Sequence, residues 1–226
     1  MKESIRSCIV TALAPFRNLW FRTNFILFKK RKDTVTKKKY YVAVCAIFKD
    51  EAPYIKEWVE YYKLIGVEHI FMYNNFSSDG FLEVLTPYIN DSFVTLIDWP
   101  VEQGQKSAYI DCVKNFSDQC NWIAFFDLDE FFVSAQRKSV GEILASFEEY
   151  PSVVANWKTF GSSGIESRDI KTPVIKDFVA CTEDFFWGKY FYNTNYKIDY
   201  TCRKNSVPIH SVWIKVGGGV YSSCYF

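Results

Sequence analysis

The sequence predicts an α/β fold in which a mostly parallel, doubly wound sheet carries helices on both faces. Strand-like and helix-like segments alternate from residue 41 to residue 157, an order typical of parallel sheets with helical crossovers. Residues 41–48 form an unbroken apolar run, which indicates a strand buried on both faces. Polar and acidic residues follow several predicted strands, at the edge where such sheets bind ligands.

The first predicted helix follows the first strand directly. Pro53 suits its first turn, and Gly66 marks its end. Its apolar side chains recur at helical spacing, and they are Ile55, Trp58, Val59, Tyr62 and Ile65. Residues 67–73 are then predicted as the second strand, because they are rich in β-branched and aromatic side chains.

Further strands and helices are predicted on both sides of residue 120. Residues 74–80 are rich in turn-forming residues and precede a predicted short helix. The apolar face of this helix would consist of Phe81, Leu82, Leu85 and Tyr88. Ser139 and Glu142 have the spacing of a capping box, which opens a helix ending near Tyr150. The other elements are strands at 93–97, 122–126 and 153–157 and a helix at 105–119. Beyond residue 157 the pattern is weaker, and strands are predicted at 198–202 and 207–216.

Composition and charge restrict the class of protein. Hydrophobic residues make up 49% and aromatic residues 19% of the 226 positions, enough for a large core and a ring-lined cleft. Residues 1–40 carry a net charge of +9 and residues 41–226 a net charge of −8. The acidic body lacks the basic face of nucleic-acid-binding proteins, so no nucleic-acid partner is expected. Seven cysteines without a C-x-x-C pair predict a reducing, cytoplasmic location rather than a zinc site.

Residues 1–39 form a basic and aromatic extension. Trp20, Phe21 and further aromatic residues precede the basic run 29–32, a combination that suits a helix on an anionic membrane surface. The alternative is a helix packed on the body with a solvated basic linker after it. No stretch reaches the roughly 18 apolar residues of a membrane span. We therefore expect a cytoplasmic protein that binds peripherally at the inner face of the membrane.

The strongest chemical signal is the sequence Asp127-Leu128-Asp129-Glu130 at the end of a predicted buried strand. Carboxylates at i and i+2 of an extended segment point to the same face. They can share one hard divalent cation, Mn²⁺ or Mg²⁺, whose remaining ligands are water and substrate phosphates. Capping of a turn is the structural alternative. The position at the predicted ligand edge favours the metal.

Residues 41–165 resemble the glycosyltransferases of the family 2 and family 92 type, which have the Rossmann-like GT-A fold. The matching segments are 48–51, 55–62, 66–70, 73–79, 127–131 and 156–164, the last reading N-W-K-T-F-G-S-S-G. The resemblance implies one GT-A domain over residues 40–226. Residues 40–157 would be its nucleotide-sugar-binding half and residues 158–226 its acceptor-side half.

The resemblance also implies a reaction and a site. A sugar, such as the hexose of a UDP-hexose, would pass from a nucleotide diphosphate to a glycan or lipid-linked saccharide, with inversion and with Mn²⁺ or Mg²⁺. The metal ligands would be Asp129, Asp127 and His210, with Asp127 contacting the ribose or the metal. The nucleotide-sugar pocket would be lined by Asp50, Glu51, Asn74, Asp79, Gln105, Lys106 and Asp127.

Inversion requires a general base for the acceptor hydroxyl. Asp184 and Glu183 are the first candidates, and Glu166 and Asp169 lie in the same region of the sequence. Trp157 and Trp187 would stack on the acceptor sugar, although core packing explains such rings equally well.

Other functions remain open from the sequence. A nucleotidyltransferase would need a glycine-rich or basic loop after the first strand, and residues 48–51 do not form one. A second alternative is a non-catalytic, membrane-associated binding protein on a degenerate or shortened glycosyltransferase fold. Loss of metal-dependent donor binding in Asp129→Asn would separate an enzyme from such a protein.

Overall fold

The computed structural model describes residues 38–135, 137–162, 164–181 and 188–196, together with the backbone of two short strands at 213–216 and 219–222. The extension up to residue 37 and the predicted strand at 198–202 lie outside the described residues. So do four predicted site residues, Glu183, Asp184, Trp187 and His210. Within the described part, no helix is long and apolar enough to span a membrane.

Strands and helices alternate from residue 40 to residue 156, as predicted. The strands are β1 (Tyr40–Phe48), β2 (His69–Asn74), β3 (Val94–Asp98), β4 (Cys120–Phe125), β5 (Ser152–Asn156), β6 (Gly188–Asn193), β7 (Trp213–Val216) and β8 (Gly219–Ser222). The helices are α1 (Ala52–Leu64), α2 (Phe81–Asn90), α3 (Gln105–Phe116), α4 (Val140–Ala145) and α5 (Val174–Asp177).

Six of these strands form one sheet in the order β3-β2-β1-β4-β6-β5, and β7 and β8 form a separate antiparallel pair. The four strands from β3 to β4 are mutually parallel. Helices cover both faces of this sheet. Successive side chains of β1 therefore point into two separate hydrophobic cores, one on each face. Val44 packs in the core that includes Trp58 of α1, whereas Cys45 packs in the core that includes Tyr109 of α3. The predicted α/β class with a mostly parallel sheet is confirmed.

Local sequence signals place most element ends correctly. Pro53 lies in the first turn of α1, and Gly66 adopts φ +93° just beyond its end, a conformation that favours glycine. The Ser139–Glu142 capping box forms as predicted, but α4 ends at Ala145 rather than near Tyr150. The helix predicted at 105–119 ends at Phe116.

One side chain predicted for the apolar face of the second helix does not lie in the core. The side chain of Leu82 is 53% exposed, whereas Leu85 and Tyr88 are buried. At 100° per residue, Leu82 lies about 120° around the helix from Tyr88, outside the stripe that faces the sheet.

The position of β5 in the sheet also differs from that expected if each strand lay beside the one before it in the sequence. It does not pair with β4, because β6 lies between them and is antiparallel to both. This strand was not predicted. Gly188 begins it so close to β5 that an added Cβ would lie 2.5 Å from the Ala155 carbonyl oxygen. The close approach of β6 therefore requires glycine at this position.

Candidate active site

The carboxyl ends of the parallel strands meet at one edge of the sheet. Phe48 of β1 pairs with Asn74 of β2, and Asn74 pairs with Asp98 of β3. The loops are also joined by backbone hydrogen bonds of 2.8 Å, from Asn75 N–H to the Phe48 carbonyl and from Trp99 N–H to the Asn74 carbonyl. The predicted common edge is therefore present.

Asp50 ties the first loop to the second. Its carboxylate accepts hydrogen bonds from the Ser78 backbone N–H at 2.7 Å and the Ser78 hydroxyl at 3.2 Å. Its own N–H donates to the Ser77 hydroxyl oxygen, and its φ is +53°. The Ser78 hydrogen bonds lower the pKa of Asp50. In this arrangement the Asp50 side chain organises the loops that border the edge.

Asp79 caps α1 from the second loop. One carboxylate oxygen, Oδ2, accepts a hydrogen bond of 2.7 Å from the backbone N–H of Ala52, the first residue of the helix. The other oxygen, Oδ1, is buried and has no hydrogen-bond partner among the described atoms. Since buried polar atoms are nearly always satisfied, Oδ1 stands out as a buried acceptor without a donor among the described atoms.

Asn74 links the second and third loops. Its amide nitrogen donates to Asp98 Oδ1 at 2.9 Å, and its amide oxygen accepts from the Ser77 N–H. The neighbouring Asn75 donates to two carbonyl oxygens of the third loop, those of Trp99 and Val101. The polar side chains after β2 thus hold the edge loops in one arrangement.

A cleft of about 610 Å³ opens beside these loops, between the end of β1 and the start of α3. Three residues predicted for the nucleotide-sugar pocket line it: Glu51, Gln105 and Lys106. Gly104 lies at the start of α3 against the third loop, where an added Cβ would be 2.6 Å from the Val101 carbonyl oxygen. The close contact keeps the first turn of α3 at the cleft.

The acidic residues near the cleft influence one another. Burial is the main cause that raises the pKa of Glu51, and the carboxylates of Asp129, Asp127 and Asp79 raise it further. Glu51 is half-buried, whereas Asp129 is exposed. This edge therefore carries a concentration of negative charge that suits a cation.

Asp127 is held by three donors. Its Oδ1 accepts from Gln105 Nε2 at 2.9 Å and from the Tyr109 hydroxyl at 3.1 Å. Its Oδ2 accepts from Lys189 Nζ at 2.7 Å. Gln105 and Tyr109 reach the same oxygen because they are one turn apart on α3. Both carboxylate oxygens of Asp127 are therefore engaged by protein groups.

Lys189 is the site residue that sequence reasoning missed. It is 1% exposed, and its ammonium group also lies 3.1 Å from Glu130 Oε2 and 5.7 Å from the ring centroid of Trp157. Burial raises the pKa of Glu130 to about 7, although Lys189 opposes the rise. The available signal was a single lysine in the aromatic run 189–192, which reads K-Y-F-Y. A buried lysine requires an acidic partner.

Aromatic donors of α1 support the loop after β4. The Tyr62 hydroxyl donates to the Glu130 carbonyl oxygen at 3.0 Å, and the Tyr61 hydroxyl donates to the Phe132 carbonyl oxygen at 2.8 Å. The Glu130 carboxylate turns back to accept from the Asp127 N–H at 3.0 Å. The loop is thus fixed by side chains on both sides.

The segment after residue 164 docks on α1. Glu57 accepts hydrogen bonds from the backbone N–H groups of Val174 at 2.8 Å and Ile175 at 3.2 Å, at the start of α5. Two candidate bases of the predicted acceptor side, Glu166 and Asp169, are exposed on this segment.

A family model described as glycosyltransferase family 92 matches residues 38–213, more than three quarters of the chain. This protein belongs to glycosyltransferase family 92.

Curated relatives of this family 92 chain include plant and animal proteins. A glycosyltransferase family 92 protein of Arabidopsis thaliana, At1g27200, is 30% identical over 136 residues, which cover 60% of this chain and 23% of that protein. The β-1,4-galactosyltransferase galt-1 of Caenorhabditis elegans is 28% identical over 129 residues, covering 50% of this chain and 30% of that protein. The matches therefore span less than a third of the relatives' own length.

The solved structures similar to this family 92 chain include TarS of S. aureus, residues 1–349, in complex with UDP. The two chains are 16% identical, and the match covers 57% of this chain and 38% of TarS with a TM-score of 0.42.

A divalent cation at this edge of the family 92 chain would have carboxylates as its protein ligands. Among residues 38–196 that the structure describes, no group of three histidine, cysteine, aspartate or glutamate side chains is placed to hold a metal ion. Asp129 nevertheless presents an exposed carboxylate at the edge, near Glu51. Mg²⁺ is commonly held by one or two carboxylates, with water and phosphates as the other ligands. The residues present fit an ion of that kind.

Proposed function

We propose that this chain acts in a glycosyltransferase that moves a hexose from a UDP-sugar to a glycan or lipid-linked saccharide, and that residues 40–157 bind the nucleotide sugar. The observation that carries the proposal is the cleft beside α3, which Glu51 lines, together with the exposed carboxylate of Asp129 that interacts electrostatically with Glu51. Clefts at this edge of a parallel sheet are where such folds bind nucleotides.

Galactose is the hexose that the relatives support. Besides galt-1, the galactan β-1,4-galactosyltransferase GALS2 of Arabidopsis thaliana is 29% identical over 107 residues, which cover 42% of this chain and 20% of that protein. The proposed donor is therefore UDP-galactose. The extension 1–39 would hold the protein at an anionic membrane surface, close to lipid-linked acceptors.

The residues of the cleft would divide the work of donor binding. The N-terminus of α3, with Gln105 and Lys106, faces the cleft and suits the negative charge of a diphosphate. Asp79, which caps the first helix at the same edge, would help to fix the loops around the nucleotide. Asp129 would hold Mn²⁺ or Mg²⁺. When bound, such an ion would supply positive charge to stabilise the departing diphosphate.

The acceptor would approach from the side of residues 158–226. Trp157, and Trp187 beyond the described residues, would stack on the acceptor sugar. Asp184 or Glu183 would remove the proton of its hydroxyl as transfer proceeds with inversion. These assignments rest on the family resemblance.

Isothermal titration with UDP-galactose, UDP-glucose and GDP-mannose, each with and without Mn²⁺, tests the proposal. We expect tight binding of UDP-galactose only with Mn²⁺, and a loss of at least about tenfold in affinity, or 1.4 kcal/mol, in Asp129→Asn. Asp91→Asn is the matched control, because Asp91 is exposed at the end of α2, before β3, at the opposite edge of the sheet.

Transfer is measured on the same samples as UDP release with a β-linked galactose acceptor. Binding of the donor without any release would favour the non-catalytic alternative. The absence of donor binding by the folded protein, with or without Mn²⁺, would refute the proposal.

A further inference from the structure

The ion pair between Lys189 and Asp127 has an unusual setting for a site that attracts a cation. The Lys189 ammonium group is almost completely buried, yet it lies next to the first carboxylate of the Asp127-Leu128-Asp129 sequence, at 2.7 Å. A buried ammonium group is stable only where carboxylates or other acceptors compensate for the loss of water around it. Asp127 is the closer of its two acidic partners.

We propose that Lys189 is a positioning residue that withholds Asp127 from the metal, so that Asp129 is the only carboxylate of the pair available to it. The inference rests on the proposed function and specifies how its metal site is built.

Geometry supports this division of roles. Lys189, Gln105 and Tyr109 together occupy both oxygens of Asp127. A cation that coordinated Asp127 would lie beside the buried ammonium group, which is 2.7 Å from Asp127 Oδ2 and would retain only Glu130 as a carboxylate partner. Asp129 is exposed two residues later, and among the described residues no lysine or arginine forms an ion pair with it.

Electrostatics gives the same result. The Lys189 ammonium group and a cation bound to Asp127 would lie a few ångströms apart and would repel each other. This repulsion is stronger at short distance and in a medium of low dielectric constant. Lys189 therefore lowers the affinity of Asp127 for any cation. In addition, Lys189 comes from β6, which lies beyond the predicted nucleotide-binding half. It thus connects the acidic loop with the second half of the chain.

The test is a titration of each variant with Mn²⁺ alone, followed by the paramagnetic resonance signal of the free ion. We expect Lys189→Met to bind Mn²⁺ about tenfold more tightly than the unaltered protein, since a carboxylate is released and a positive charge removed. Adding Asp127→Asn to Lys189→Met should abolish the gain. Lys114→Met is the matched control, because Lys114 is exposed in the last turn of α3.

A second comparison keeps Lys189 in place and does not depend on the folding of Lys189→Met. Asp127→Asn should change the Mn²⁺ affinity by less than about twofold, whereas Asp129→Asn should reduce it by at least about tenfold. A purely structural role for Lys189 would instead weaken Mn²⁺ binding in Lys189→Met. That outcome, or equal losses in Asp127→Asn and Asp129→Asn, would overturn the inference.

The inference and the proposed function fail in different ways. If the unaltered protein binds Mn²⁺ and UDP-galactose but Lys189→Met gains no affinity for Mn²⁺, the inference is overturned and the proposed function stands. If only Lys189→Met binds Mn²⁺, Asp127 is withheld as inferred and the metal dependence of the proposed function is refuted.

Discussion

The indole N–H of Trp58 lies 3.0 Å from the carbonyl oxygen of Asp127, the first acidic residue of the candidate site. The same N–H lies 3.1 Å from the carbonyl oxygen of Glu130, so one buried donor on α1 holds both ends of the acidic turn. Trp58 is fully buried. The position of the acidic loop therefore depends on packing between the first helix and the end of β4.

Replacing Trp58 by phenylalanine should destabilise the protein and loosen this turn. The variant removes one buried donor and leaves space where the indole ring lay, for an expected loss of about 2 kcal/mol in the free energy of unfolding. Tyr62→Phe is the control, because it removes only the single hydroxyl that donates to Glu130, at an expected cost of about 1 kcal/mol. Urea unfolding measures both. Equal losses would show that the indole N–H is not important for the turn.

Gly104→Ala should displace the first turn of α3. The added methyl group would lie 2.6 Å from the Val101 carbonyl oxygen and 3.0 Å from the Trp99 ring, and backbone cannot yield easily. We expect a loss of stability of about 1–3 kcal/mol together with weaker donor binding. Gly141→Ala, within α4, has its nearest contact at 3.5 Å and should be neutral or stabilising. Unimpaired donor binding by Gly104→Ala would contradict the role given to this turn.

Glu57→Ala should release the segment around α5 without unfolding the sheet. The variant removes the acceptor of the Val174 and Ile175 N–H groups, which tie this segment to α1. Faster amide hydrogen exchange at these two residues, and faster tryptic cleavage after Lys171 or Lys176, are the expected results. Glu83→Ala, at an exposed position of α2, should leave both rates unchanged.

His69 should make the protein less stable in acid. Burial, together with Lys39, lowers its pKa from 6.5 to about 4, because the charged ring would be desolvated between Tyr40 and Phe71. The unfolded state therefore binds more protons between pH 4 and pH 6.5, and stability is lost as the pH falls through this range.

The acid effect can be isolated with His69→Gln, which has no titrating ring. The free energy of unfolding should fall between pH 7 and pH 4 by up to about 3 kcal/mol more in the unaltered protein than in the variant. Identical pH profiles would mean that His69 is solvated enough to accept a proton when folded. His69 begins β2, so this test concerns the fold and not the candidate site.

Much of the fold of residues 40–157 could be predicted from the sequence because its signals are local. Apolar runs, Pro53, Gly66 and the Ser139 capping box act within a few residues of the chain. Once strands and helices alternate, the handedness of the crossovers brings the strand ends to one edge. Glu51, Gln105 and Lys106 could therefore be expected at one cleft, where the structure places them.

The hydrogen-bond partner of each polar side chain at that edge could not be predicted from such local signals. Asp50 was expected to line the pocket, but its carboxylate is engaged by Ser78. Asn74 similarly bonds to Asp98 and the Ser77 N–H. The Asp50–Ser78 and Asn74–Asp98 pairings depend on how separate loops meet, because the partners are 28 and 24 positions apart in the chain.

The sequence by itself determined the α/β class, the parallel strands and the acidic sequence at Asp127 and Asp129, because propensity and periodicity are properties of neighbouring residues. Only the tertiary structure decided that β6 lies between β4 and β5 and brings Lys189 to Asp127, across 62 residues of sequence. No local pattern encodes such a contact. It exists because a buried ammonium group needs a carboxylate partner, and the antiparallel strand is the element that places the two charges together.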